Sequence, residues 1–130
     1  MTKDNEAKLI ALWMSKAHDA LASAELELHA GHTSFAVNRL YYACFYAVTA
    51  LLQSEGKQFV RHSGVLSEFR RSFIKSGRLD TSWGRFYQTL FEDRQEGDYL
   101  PTKTFSREDI SSRATKAIEF VRLVQELVET

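Results

Sequence analysis

The sequence predicts an all-α fold, an antiparallel up-and-down bundle of four to five helices. Three observations carry that reading. Apolar residues recur at three- and four-residue steps along most of the chain. Glycines at 31, 56 and 77 fall where those periodic runs stop, the usual place for a helix C-terminal cap. No segment alternates with period two, and no hairpin signal occurs.

The first helix is expected from about Asp4 to Ala30, with Leu9, Trp13, Ala17, Leu21, Ala24 and Leu28 turned inward and Gly31 ending it. Thr33 or Ser34 is placed to cap the second helix, which runs to about Glu55 before Gly56. This second helix is the organising stretch. From Leu40 to Leu52 only Thr49 is neither apolar nor aromatic, so the segment is apolar nearly all round and belongs in the centre of the bundle. That stretch is shorter than the roughly 20 apolar residues a bilayer span needs. After a polar loop, Ser63 could cap a third helix with Val65, Leu66, Phe69, Phe73 and Ile74 inward. Asp80 or Thr81 opens a fourth, carrying Trp83, Phe86, Tyr87, Leu90 and Phe91 inward and ending near Gly97. The segment Asp98 to Phe105 holds the one proline, Pro101, and reads as an irregular loop. Ser106–Asp109 resembles a capping box with Asp in the acidic place. The last helix follows with Ile110, Ala114, Ala117, Ile118, Val121, Val124 and Val128 on one stripe.

At 130 residues the expectation is one domain spanning the chain. Seventeen basic and seventeen acidic residues cancel, so no global field steers the protein to nucleic acid or an anionic membrane, and any RNA contact has to be local. No leader and no membrane span are expected. The single cysteine, Cys44, lies in the apolar stretch, where it reads as core filling; a reduced, cytoplasmic setting fits. Glu-x-x-His pairs of a di-iron bundle are missing, and His29 with His32 suggests no third ligand, so neither a metal nor a cofactor is expected. No phosphate-cradling glycine loop precedes a helix.

Three polar groups remain. The first is Asn38-Arg39 with Tyr41, Tyr42 and Tyr46 on the central helix; Asn38, Tyr42 and Tyr46 are four apart on one face, where they could line a groove or a dimer seam, and the alternative is core tyrosines whose hydroxyls reach the surface. Arg61-His62-Ser63-Gly64 opens the third helix, where an anion could dock on free amides, or where Ser63 simply caps. Arg94 stands among four acids, with Asp98 and Tyr99 a turn later; it reads either as a salt-bridged structural arginine or, with Asp98 and Tyr99, as a group that binds a phosphate or positions a partner loop.

These residues resemble the HEPN domains, in their small stand-alone bacterial and archaeal form. Ala36 to Ala47 is similar to the family's Ala-x-x-Arg-x-Tyr-Tyr-Ala-x-Phe-x-Ala helix, Arg61 to Val65 to its Lys-His-Ser-Gly segment, and Arg94 to Tyr99 to its Arg-x-x-x-Asp-Tyr element. Order and spacing agree over about residues 8 to 128. The resemblance implies a helical bundle that commonly forms a homodimer. It also implies one of three roles: a metal-independent RNA endonuclease, often the toxin of a toxin–antitoxin pair; a module paired with a minimal nucleotidyltransferase; or a non-catalytic RNA- or nucleotide-binding module.

The nuclease members carry an Arg, four to six residues, then a His. No arginine of this chain is followed by His at that spacing: Arg94 with four intervening residues reaches Tyr99, and Arg39 with six reaches Tyr46. Tyrosine is a weak base at neutral pH. The expectation is therefore a non-catalytic or weakly active RNA-, nucleotide- or partner-binding module, with Asn38, Arg39, Tyr42, Tyr46 and His62 in binding. The alternatives are a metal-independent endoribonuclease using Arg94 with Asp98 and Tyr99, and a purely structural bundle.

Overall fold

The computed structural model describes residues 2–130 and contains five α-helices and, among those residues, no strand. They are α1 (Lys3–His29), α2 (Thr33–Ser54), α3 (His62–Phe69), α4 (Thr81–Tyr99) and α5 (Arg107–Glu129). A π-helical turn, Arg70–Ile74, continues α3, with the Lys75 amide donating to the Arg70 carbonyl.

Two glycines set the first two turns. Gly31 (φ 83°) and Gly56 (φ 76°) take the left-handed conformation, and the residue after each closes the helix behind it: the His32 amide reaches Glu27 O at 2.8 Å, and the Lys57 amide reaches Leu52 O at 2.9 Å. With three residues between them, α1 and α2 form a tight antiparallel pair. The chain enters α2 straight from this closure. His32 is the N-cap and makes no side-chain bond to the helix, so neither Thr33 nor Ser34 caps it as the sequence suggested. Likewise α3 starts two residues early, capped at an extended Arg61, which leaves Ser63 inside the first turn rather than capping it. Asp80 and Ser106 do cap, accepting from the amides of Ser82 and Asp109.

The apolar helix is central, as expected: α2 touches all four other helices. At 22 residues it is long and apolar enough to cross a membrane by length and composition alone, yet most of it lies buried inside the bundle. Between a groove lined by Arg39 and Tyr46 and another lined by Leu40, α2 turns Ala36, Ala43, Ala47 and Ala50 toward α1. The buried residues of α1 are Met14, Ala17, Ala20 and Ala24. The seam is thus small against small, and the expected inner residues Leu9, Trp13, Leu21 and Leu28 flank it, half-exposed. On α5, Phe120 is buried where the sequence pointed to Ile118, which is 58% exposed at the lip of the α1–α5 groove. Helix α4 runs past Gly97 to Tyr99. Gly97 is there for clearance: a Cβ would sit 3.1 Å from the Phe105 ring, which folds back from the following loop. Lys103–Glu96 and Arg113–Asp93 ion pairs tie that loop and α5 to α4.

Candidate functional site: an aromatic and arginine cluster between α2, α3 and α4

Where α2 meets α3 and α4, its packing changes from aliphatic to aromatic. Tyr41 is fully buried, with its ring near those of Tyr42, Phe45, His62, Tyr87 and Phe91. His62, the first residue of α3, stacks flat on Phe45 with ring centroids 4.1 Å apart. Its Nδ1 lies 2.7 Å from the Tyr41 hydroxyl. Burial pushes the Tyr41 hydroxyl well above its usual pKa, so it stays protonated. The Arg94 guanidinium beside that oxygen can only donate to it, so the hydroxyl is assigned as the donor and Nδ1 as the acceptor. That assigns the proton of a neutral imidazole to Nε2. Burial, then the nearby Arg94 charge, lowers the pKa of His62, which keeps the ring neutral near pH 7.

Arg94 comes up from α4 with its side chain only 13% exposed. Its guanidinium lies over the Tyr41 ring (4.8 Å) and the Tyr42 ring (5.6 Å), a cation–π arrangement. It approaches Asp98 at 3.5 Å, and Asn38 donates to the same carboxylate at 3.3–3.4 Å. Arg94 Nε and the Tyr87 hydroxyl are the two buried side-chain polar atoms without a partner among the described residues. The sequence separates Arg94 from His62 by thirty-two positions, yet both lie against the same two tyrosine rings.

The sequence model of the HEPN domain matches residues 10–129. This chain belongs to the HEPN family. A UPF0332 protein of Thermotoga maritima is 39% identical over 126 residues, 97% of this chain and 96% of that protein. A protein of Methanocaldococcus jannaschii named as a candidate toxin is 34% identical over 96 residues, 74% of this chain and 65% of its own length. A second candidate toxin of the same organism is 26% identical over 129 residues, 99% and 95% of the two chains.

In this HEPN chain the structure gathers Asn38, Tyr42, His62, Arg94 and Asp98, and leaves the other singled-out residues outside. Tyr99 is 75% exposed, about 100° round the helix from Asp98, and does not converge with Arg94. Arg39 and Tyr46 line the α1–α2 groove instead, where Tyr46 stacks on Trp13 at 5.8 Å and Lys16 lies over its ring. Tyr46 still lies near Tyr42, with ring centroids 5.6 Å apart and the planes tilted by 38°. Tyr41, whose hydroxyl links to His62, stands among the polar tyrosines of the central helix in the sequence but outside the expected binding set, because it does not share the Asn38–Tyr42–Tyr46 face. His29 and His32 pair separately with Glu25 and Glu27, and burial raises the Cys44 thiol far from reactivity.

Proposed function

We propose that this HEPN protein is the toxin-type member of a toxin–antitoxin pair, and that its Arg94–His62 cluster binds the phosphate of RNA or of a nucleotide without efficient cleavage. The observation that carries this reading is the unpaired, buried Nε of Arg94. A buried donor left without a partner costs free energy, and such groups persist where a ligand supplies the missing acceptor. Arg94 is held by one loose carboxylate contact, so a phosphate oxygen can take its place on the guanidinium. His62 adds a second donor, Nε2–H. Its only lone pair already accepts from Tyr41, so the ring is arranged to donate rather than to remove a proton. Binding of single-stranded RNA followed by anisotropy tests this. Arg94→Ala should weaken binding by about 10- to 100-fold, the worth of a charge-assisted hydrogen bond, while the helical signal is unchanged. Wild-type protein that binds neither RNA nor a nucleotide overturns the proposal.

The proximity of Arg94 and His62 favours one second reading, a metal-independent endoribonuclease in which His62 takes the place of the histidine missing from the sequence motif. That chemistry needs the Tyr41 hydroxyl to turn away so that the imidazole has a lone pair to offer. His62→Gln separates the two readings, because the amide keeps a donor but is no base. RNA cleavage in EDTA by wild type, lost in His62→Gln with binding retained, selects the nuclease.

A further inference from the structure

The overall neutrality of the chain conceals a segregation of charge. Between Lys57 and Arg78 there are six basic residues and one acid, a net of +5, so the rest of the chain carries −5. The one acid, Glu68, is turned inward with its side chain 8% exposed, bonded by Arg71 and Ser72 and 2.8 Å from Lys57. Those bonds, Arg71 first, hold its pKa down at about 2. The outer face of α3 and the π-turn therefore presents Arg61, Arg70, Arg71 and Lys75 with serines 63 and 67 between them and no exposed acid. At its upstream end, the Phe59 ring lies on Gly64, where a Cβ would meet it at 3.3 Å, and remains 42% exposed beside Val60 at 99%.

We infer that this face, from Phe59 and Arg61 through Arg70 to Lys75, is a track for a single-stranded RNA leading away from the Arg94–His62 site. The inference rests on the reading of that site as a phosphate site. Three features favour a single strand over an acidic protein. Arginine forks suit phosphate oxygens. An exposed aromatic ring at the head of a basic strip is the stacking platform that unpaired bases use. The strip also passes His62, which follows Arg61 directly, so it continues the site rather than forming a separate patch. From His62 to Lys75 the axis runs about 20 Å, room for about six nucleotide steps of a stacked strand.

The test compares a dinucleotide with an RNA of about twelve nucleotides, bound to wild type, to Arg70→Gln/Lys75→Gln and to Arg94→Ala across a salt series. Neither substituted residue of the double variant touches Glu68 or the Arg94 cluster, so its dinucleotide affinity should match wild type. Its longer RNA should bind more weakly, with the slope of log affinity against log salt reduced by about 1.4, roughly 0.7 for each lost phosphate contact. An unchanged slope and affinity in the double variant overturn the track and leave the face to an acidic protein surface. Equal wild-type affinity and slope for the two RNAs overturn it as well. A reduced slope in the double variant beside unaltered binding in Arg94→Ala supports the track and removes the Arg94 site from the proposed function.

Discussion

The two sides of α2 solve different problems. Toward α1 it lays Ala36, Ala43, Ala47 and Ala50 against the alanines of α1, a seam of small side chains with no polar atom of their own. Toward α3 and α4 it carries Asn38, Tyr41, Tyr42 and Phe45, and there the bundle accepts a buried arginine, a hydroxyl–imidazole bond and two unpaired polar atoms. The first side is complete by itself. The second is satisfied only in part, and those open valences are what the proposed phosphate site draws on. One helix thus separates what holds the protein together from what it presents.

This contrast can be broken from either side. The largest effect should come from the aromatic core behind the site. Phe69 is fully buried against Phe73, Tyr87 and Phe120, and Phe69→Ala should cost about 3–5 kcal/mol in urea unfolding. Overfilling the seam comes next: Ala43→Leu, at a position with no exposure, should cost about 1–3 kcal/mol while RNA affinity per folded molecule stays unaltered. A concurrent loss of affinity would show that the two sides of α2 are coupled. Tyr41→Phe should cost only about 1 kcal/mol, yet it should release the imidazole of His62 from a single tautomer. Nitrogen NMR of the ring reads that directly, and an unchanged Nε2–H tautomer would contradict the assigned donor.

The smallest effect concerns pH. His62 has a lowered pKa in the folded state, so below its ordinary value of 6.5 the unfolded chain takes up a proton that the native ring resists, and stability should fall as pH drops through that range. Glu68 acts in a separate window. Its carboxylate stabilises the fold above the usual carboxylate range, and that contribution fades between about 4.5 and about 2. An acid titration of wild type against His62→Gln should remove only the upper step, and Glu68→Gln only the lower one.

The helices were legible because their signals are local. Gly31, Gly56 and Gly77 all take positive φ, and Asp80 and Ser106 cap as their residue types suggest. The inner face of α1 was legible in part: Ala17 and Ala24 are buried as expected, whereas Met14 and Ala20 escape a periodicity that weights the large Leu9, Trp13 and Leu21 flanking the seam. Gly97 looked like a stop signal, but it is a point of close approach to Phe105, a residue eight positions on whose return no local pattern announces. The site was half visible. Asn38, His62, Arg94 and Asp98 stand out as polar residues at odd places, whereas their convergence depends on how α3 and α4 lean on Tyr41. Tyr99 was chosen by adjacency in sequence, and one step along a helix turned it to solvent.

The three-residue link between α1 and α2 also has a consequence for synthesis. Chain growth is vectorial, and the tight pair with its alanine seam is fully encoded by Lys57, whereas Arg94 is added only after α3 and the π-turn have been made. The scaffold can therefore assemble on the nascent chain while the proposed phosphate site still lacks its guanidinium, so that site is completed only with the fourth helix. Amides of α1 and α2 should accordingly gain protection from pulsed hydrogen exchange before those of α4, and simultaneous protection would remove that interval.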